Sequence, residues 1–157
     1  MTFSTSYLTN REINIWNLRR NKHSQTEIGK LLGMTRQAAY RALGIIDTKV
    51  ERSFAEVVET NNLVVKHINV EDGLMEAYSP AHNIPVFVTL SKSNGLRVWY
   101  VHEGNCGECV RVKSCRDFVE SEVKERGLKL SEEEWMLPPT KLVLKVFDKI
   151  QEDRVYD

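Results

Sequence analysis

The chain has 157 residues and no formal net charge, because 22 Lys and Arg balance 22 Asp and Glu. Hydrophobic residues make up 41% and charged residues 28%, which is enough for a globular core and excludes a disordered chain or a fibre. The apolar runs are far shorter than the roughly 20 residues of a membrane-spanning helix, and the first residues do not resemble a secretory signal. We therefore expect a cytoplasmic protein of one or two domains that does not associate with membranes.

The neutral total conceals an uneven distribution of charge. The first 46 residues contain seven basic and two acidic residues, a net charge of +5, so the remaining residues carry −5. A basic segment beside an acidic remainder is expected when one end of a protein meets a polyanion. Charge alone favours nucleic-acid binding but does not establish it.

Capping signals predict three short helices in the basic part. The segments 9–12 and 24–27 each begin with a hydroxyl residue and end with Glu, as in the capping box at a helix start. Gly33 favours the end of the second helix, and Thr35 is placed to cap a third helix over residues 36–46. Two short helices joined by a glycine turn form a helix-turn-helix.

Apolar spacing indicates which faces of these helices are buried. Ile28, Leu31 and Leu32 form the predicted buried stripe of the second helix. In the third helix, apolar spacings of three and four continue beyond Ile46 toward about Asn61, so this helix either runs on or restarts. Its apolar face needs a partner, which is either the C-terminal part of the chain or a second copy. Two DNA half-sites about 34 Å apart would require a second copy, and we expect a homodimer.

The segment 25–44 resembles a DNA-binding helix-turn-helix. It has a small residue, Gly29, where the two helices pack closely, and Gly33 in the turn. Together with the segments 8–12 and 35–37, it is similar to the Tfx-like archaeal regulators and to the LuxR and sigma-factor helix-turn-helix group, over about the first third of the chain. The resemblance implies an archaeal-type transcription regulator that binds double-stranded DNA. Gly29 departs from the pattern, because these families more often have alanine there.

The resemblance assigns base reading to the start of the third helix. The N-terminal part of a recognition helix approaches the base edges in the major groove. Arg and Gln suit guanine and adenine, since each can form a bidentate pair of hydrogen bonds. The expected base-contacting residues are Arg36, Gln37, Tyr40 and Arg41.

Residues at the helix starts are expected to hold the DNA backbone. Ser24, Gln25 and Thr35 lie where hydroxyl groups and free amides attract phosphate oxygens. Arg19 and Arg20 are as well explained as solvated surface side chains, so their role stays open.

The chain changes character near Asn61, where β-branched and apolar residues become frequent. The candidate strands are 63–70, 74–78, 86–90 and 96–102. Asn94 and Gly95 are typical of the tip of a β-hairpin between the last two strands. Trp99 and Tyr100 would point to opposite faces of the resulting small antiparallel sheet, with one of them in the core.

The C-terminal part is predicted to be helical. A helix over 117–126 is followed by a turn capped by Ser131 and by a last helix capped by Thr140. The fold class is therefore α+β, with an N-terminal helical helix-turn-helix domain followed by a small antiparallel sheet and C-terminal helices. We predict a helix-turn-helix domain with an extended linker helix over 1–60 and an α+β regulatory domain over 61–157.

All three cysteines of the chain lie within ten residues. Cys106 and Cys109 form a CxxC pair, Cys115 follows after five residues, and His102 stands four residues before the first. An odd number of clustered cysteines does not fit a secreted disulfide framework. Three thiolates and an imidazole complete the tetrahedral shell of a structural zinc ion. The spacing therefore predicts a zinc site of Cys3His composition.

Two other interpretations of the cysteines stay open. The same spacing is similar to that in oxygen-sensing regulators of the fumarate-nitrate reductase type, which implies an iron-sulfur cluster and a redox-sensing regulator. Without any metal, the CxxC pair would be a switchable disulfide or simply structural.

Familiar catalytic signatures are missing from the sequence. It contains neither a glycine-rich phosphate loop, nor a GxSxG nucleophile, nor an HExxH pair. A zinc hydrolase would need an open coordination position beside a carboxylate such as Glu103 or Glu108, whereas three thiolates and a histidine fill the shell. We therefore expect no enzyme. A protein-interaction adaptor, with a helix-turn-helix used only for packing, would differ by failing to bind DNA at low salt.

Overall fold

The computed structural model describes residues 8–152 and arranges them as three helices, a four-stranded sheet and three further helices. The N-terminal helices are α1 (Asn10–Arg20), α2 (Gln25–Leu32) and α3 (Arg36–Asn61). The strands are β1 (Val64–Asn69), β2 (Leu74–Ser79), β3 (Ile84–Ser91) and β4 (Gly95–Tyr100). The C-terminal helices are α4 (Val112–Arg126), α5 (Glu132–Trp135) and α6 (Pro139–Glu152). The predicted α+β class and the order of its parts are confirmed. The predicted domains, 1–60 and 61–157, extend beyond the described residues at both ends.

Side-chain caps begin each N-terminal helix, as the sequence predicts. The Thr9 hydroxyl accepts a hydrogen bond from the Glu12 amide, and the Glu12 carboxylate accepts one from the Thr9 amide, which completes a capping box. Ser24 caps α2 through the Glu27 amide, although the Glu27 carboxylate accepts its bond from the Ser24 hydroxyl rather than from the backbone. Thr35 caps α3. These caps fix where the three helices begin.

α3 runs without a break for 26 residues, so the apolar pattern beyond Ile46 belongs to one continuous helix. Ile46, Val50 and Phe54 are fully buried at spacings of four, which holds the second half of the helix against the core. Gly44 does not interrupt it, because glycine in an exposed helix position costs only about 1 kcal/mol relative to alanine.

Among residues 8–152, no helix is both long enough and apolar enough to cross a membrane.

The strands form one antiparallel sheet in the order β1-β2-β3-β4, each paired with its neighbours in the chain. The predicted hairpin joins β3 to β4, with Ser91 opposite Gly95 at its tip. Gly95 has a φ of +63°, a left-handed conformation that glycine adopts without strain.

Helices cover both faces of the sheet. On one face, Met75 shares a hydrophobic cluster with Trp16 of α1 and with residues of α3. On the other face, Trp99 stacks on Phe118 of α4, with the ring centroids 5.6 Å apart. Tyr100, next to Trp99, packs against the first cluster, so the two neighbours lie on opposite faces as predicted. The sheet is therefore the middle of three layers.

The predicted buried stripe of α2 is wrong in two of its three positions. Leu31 and Leu32 are 59% and 36% exposed, whereas Ile28 is fully buried. A helix of only eight residues turns a narrow face toward the core, and Ile28 fills it.

Two C-terminal helices begin elsewhere than predicted. α4 starts at Val112, five residues early, because its N-cap residue Arg111 forms no side-chain cap that a sequence signal could reveal. Thr140 does not cap α6, because the helix already begins at Pro139, whose fixed φ suits a first helical position.

Candidate nucleic-acid interface and cysteine cluster

α2 and α3 pack closely at the turn that joins them. Gly29 of α2 is buried, and a Cβ atom at this position would lie only 2.6 Å from the carbonyl oxygen of Met34. Gly33 ends α2 with a φ of +67°, and Thr35 begins α3 two residues later. Glycine at position 29 thus permits a closer approach of α2 to the turn than alanine would. The two helices have the helix-turn-helix connection that the sequence predicts.

The starts of α2 and α3 border an open groove of about 720 Å³. A second groove, of about 410 Å³, shares Gln25, Arg36 and Tyr40 with the first and adds Gln37. The two grooves together bring in six of the seven predicted DNA-contacting residues, namely Ser24, Gln25, Arg36, Gln37, Tyr40 and Arg41. The structure therefore gathers at one surface six of the side chains that sequence reasoning assigned to one ligand, beside the acids Asp47 and Glu71.

Four of the α3 residues that line the two grooves present hydrogen-bonding groups to solvent. Tyr40 is 65% exposed, and Arg36, Gln37 and Arg41 are exposed as well. Their spacing places them on one side of the first two turns of the helix. Two guanidinium groups, one amide and one phenol can thus reach a molecule that lies in the groove.

Ser24 and Thr35 use their hydroxyl groups inside the protein. Ser24 Oγ accepts a hydrogen bond from the Glu27 amide at 3.2 Å, and Thr35 Oγ1 accepts one from the Ala38 amide at 3.0 Å. Thr35 does not line either of the two grooves. The remaining first-turn amides of α2 and α3 have no intrahelical partner and attract anions. These positions therefore suit phosphate binding through backbone amides rather than through the hydroxyl groups.

Arg19 and Arg20 are ion-paired within the protein. Arg19 donates to both carboxylate oxygens of Asp47, at 3.0 and 2.6 Å. Arg20 lies over the ring of Trp16 and donates to Glu125 of α4 at 2.6 Å. Two of the seven basic residues of the first 46 thus pair with acids that follow position 46. The free positive charge of the N-terminal helices is smaller than the composition suggests.

The ion pair between Arg20 of α1 and Glu125 of α4 is charged at neutral pH. Burial lowers the pKa of Arg20, as does the nearby charge of Arg126, while Glu125 raises it. Burial raises the pKa of Glu125, but hydrogen bonds from Arg20 and Ser93 outweigh this effect and leave that pKa below its ordinary value. An ionised carboxylate and a guanidinium therefore face each other at this contact.

Sequence reasoning missed several residues of this surface. His23 and Thr26 also line the larger groove. Farther along α3, Arg52 joins the predicted Arg41 at a shallow groove beside Ile45, which is 56% exposed. Their helical spacing is the signal that would have indicated this second basic face.

The three thiols surround the start of α4. Cys106 and Cys109 lie in the turns between β4 and α4, and Cys115 lies in the first turn of the helix. All three are free thiols, and Cys109 is the exposed one. Cys106 Sγ is 3.6 Å from Thr140 Oγ1 of α6. Burial raises the pKa of Cys115, Cys109 and Cys106 raise it further, and Arg97 and Arg111 lower it.

His102 follows β4 on the exposed surface. Its Nδ1 lies 2.8 Å from the carbonyl oxygen of Tyr100. A carbonyl oxygen can only accept, so this contact requires the proton on Nδ1 and leaves Nε2 of the neutral ring with its lone pair. Among residues 8–152, no three His, Cys, Asp or Glu side chains form a group that could hold a metal ion. The four predicted ligands are thus close in the sequence but are not assembled as a metal site in the structure.

Comparison with known proteins adds no assignment. No protein-family model, curated protein or solved structure matches the chain. The grooves at the start of α3 and the cysteines at the start of α4 are therefore the features from which function can be argued.

Proposed function

We propose that the protein is a DNA-binding transcription regulator that reads the major groove of double-stranded DNA with residues 36–46 of α3. The observation that carries this proposal is the convergence of six predicted contact residues on the grooves between α2 and α3. A recognition helix approaches the base edges with its N-terminal residues, which is the end of α3 that these grooves expose. A cytoplasmic location, where such DNA is reached, belongs to the same proposal.

Arg36 and Gln37 supply the base-reading groups. The guanidinium of Arg36 suits O6 and N7 of guanine, and the amide of Gln37 suits N6 and N7 of adenine. Each bidentate pair contributes about 1 to 3 kcal/mol of discrimination against the wrong base. Tyr40 and Arg41 lie one turn farther along the helix and reach the adjoining bases or backbone.

The start of α2 suits the phosphate backbone beside the bases. Ser24 and Gln25 border the same groove as the reading residues, and the free amides of this helix start favour anions. Arg19 and Arg20 are left out of the contact set, because their guanidinium groups are held by Asp47 and Glu125. The resemblance of the segment 25–44 to Tfx-like, LuxR and sigma-factor helix-turn-helix regulators supports the same assignment.

We propose further that two copies bind DNA as a homodimer. One helix-turn-helix buries little surface on DNA, and a two-fold dimer places two recognition helices on half-sites about 34 Å apart. Leu31 and Ile45 leave more than half of their surface exposed on the N-terminal helices and supply apolar area for self-association. Light scattering should give twice the chain mass of 18.1 kDa. A monomer at concentrations that bind DNA would contradict this proposal.

Selection of bound duplexes from a random-sequence DNA library tests the DNA-binding proposal. We expect an enriched sequence that binds at least about 10³-fold more tightly than a scrambled duplex. The variant Arg36→Ala with Gln37→Ala should lose this preference. Lys145→Ala, which removes an exposed cation from α6, is the matched control and should keep it. Absence of binding to any duplex at low salt would overturn the proposal and favour a protein-interaction adaptor.

A further inference from the structure

The cysteine cluster takes no part in the proposed DNA contacts and calls for its own explanation. We propose that Cys106, Cys109 and Cys115, together with His102, bind one Zn²⁺ ion in a closed Cys3His site. This inference goes beyond DNA recognition: the site does not require DNA binding, and DNA binding does not require the site.

The donor set has the chemistry of a zinc site. Three free thiols and one imidazole are soft and borderline ligands, which favour Zn²⁺ over hard cations such as Mg²⁺ or Ca²⁺. A zinc ion with three thiolates carries one net negative charge. The start of α4 offsets that charge, because Arg111 leaves its first-turn amides without a side-chain cap and a helix N-terminus favours anions.

His102 is already held in the tautomer that a ligand needs. Metal-bound histidines usually donate the N–H of their other ring nitrogen to a carboxylate or a backbone carbonyl, which fixes the orientation of the ring. Here Nδ1 donates to the carbonyl of Tyr100, at the end of β4. The ring therefore offers Nε2 to an ion, and it does so at the point where the chain leaves the sheet.

Closure of the site requires the two thiols of the CxxC pair to approach Cys115. Residues 103–111 contain turns but no helix or strand, and both of these thiols belong to this segment. Cys115 is fixed on α4 and half-buried, so it is the ligand toward which the others close. Metal binding and local folding are commonly coupled in this way, because few such sites exist before the ion arrives.

Zinc accounts for these ligands better than the two alternatives. An iron-sulfur cluster is generally held by four cysteines, and the whole chain has three. A disulfide between Cys106 and Cys109 would leave unexplained both the third thiol and the orientation of His102. Bound zinc would tie the exit of β4 to the start of α4, next to the layer in which Trp99 stacks on Phe118.

Elemental analysis of protein purified without oxygen, and without any DNA, tests the proposal. We expect one zinc per chain and a colourless protein. Replacement by Co²⁺ should give the intense visible bands of a tetrahedral ion and a near-ultraviolet thiolate charge-transfer band. Iron with sulfide and a brown absorbance would overturn the zinc assignment. So would a protein that takes up no zinc after reduction and incubation with the metal.

Single variants test the individual ligands. Cys109→Ser removes an exposed thiol with little effect on packing and should abolish stoichiometric zinc, while circular dichroism shows that the fold persists. His102→Gln should weaken zinc binding at least tenfold, whereas His67→Gln, at an exposed position of β1, is the matched control and should keep full zinc. Full zinc retention in Cys109→Ser or His102→Gln would overturn the site as proposed. A protein that binds zinc but no DNA would count against the DNA-binding proposal alone.

Discussion

The guanidinium of Arg20, at the end of α1, and the carboxylate of Glu125, in the last turn of α4, meet at 2.6 Å, with the two side chains 3% and 12% exposed. The same carboxylate accepts hydrogen bonds from the backbone amides of Lys92 and Ser93, at the tip of the hairpin between β3 and β4. One acidic side chain therefore joins the N-terminal helices, the sheet and the C-terminal helices.

Glu125→Gln should lower the free energy of unfolding by about 3 kcal/mol at neutral pH, because it leaves the buried charge of Arg20 without its counter-ion. The folded-state pKa of Glu125 lies below its ordinary value of 4.5, so its ionised form stabilises the protein above about pH 4.5. This contribution is lost as the pH falls through the lower, folded-state pKa. Acidification should therefore destabilise the wild type more steeply than the variant.

Urea unfolding at neutral and acid pH measures this difference. Glu120→Gln, at an exposed position on the same helix, is the matched control and should change the free energy of unfolding by less than about 0.5 kcal/mol. Parallel pH curves for wild type and Glu125→Gln would show that the pair does not act as described.

Arg36→Ala should weaken binding to the selected DNA sequence by about 1 to 3 kcal/mol, because it removes a bidentate contact to a base. Binding to unrelated duplexes should change little, since non-specific affinity depends on the total of phosphate contacts. Titrations with both kinds of duplex at two salt concentrations separate the two effects. Equal losses on both duplexes would mean that Arg36 contacts only phosphate.

Gly29→Ala should destabilise the protein by about 2 kcal/mol, because the added Cβ would lie 2.6 Å from the backbone oxygen of Met34. It should also weaken DNA binding, since the turn between α2 and α3 has to open to admit the methyl group. Gly44→Ala is the matched control, because that position of α3 has open space and gains helix propensity worth about 1 kcal/mol. The midpoint of thermal unfolding should therefore fall for Gly29→Ala and rise for Gly44→Ala. Equal shifts would contradict the close packing at the turn.

Gly73→Ala and Gly95→Ala separate backbone strain from steric contact. Both glycines have positive φ, so alanine costs about 1 to 2 kcal/mol at either position. At Gly73 the added Cβ would also lie 2.6 Å from both the Leu90 carbonyl oxygen and the ring of Trp16, whereas Gly95 has open space. Chemical denaturation should show a loss at Gly73 larger by at least about 1 kcal/mol. Equal losses would contradict the contact with Trp16.

Local signals predicted much of this fold because they act over three or four residues. The hydroxyl groups of Thr9, Ser24 and Thr35 fix three helix starts through hydrogen bonds to amides three residues later. Asn94 and Gly95 mark the hairpin tip in the same local way. The start of α4 was missed because Arg111 provides no comparable bond.

Long-range pairings explain what the sequence did not reveal. Arg19 meets Asp47 across 28 residues and Arg20 meets Glu125 across 105, so neither pair has a signature in the local pattern. The predicted DNA contacts came together because they belong to two adjoining helices whose geometry a short turn determines. The proposed metal ligands were predicted as a set from spacing, but their mutual geometry depends on a segment without helix or strand.

If the protein reads DNA as proposed, the continuous course of α3 makes the packing under the sheet a determinant of sequence selectivity. At 1.5 Å per residue, Arg36 at the start of α3 lies about 27 Å from Phe54, which is buried in the hydrophobic cluster that α3 shares with the strands. A tilt of the helix by about four degrees about Phe54 would displace Arg36 by about 2 Å, enough to break a bidentate contact to a base. Warming that loosens the packing under the sheet should therefore erode the preference for the cognate sequence before the protein unfolds. For the same reason, a fragment cut after α3 would expose the apolar residues in the second half of that helix.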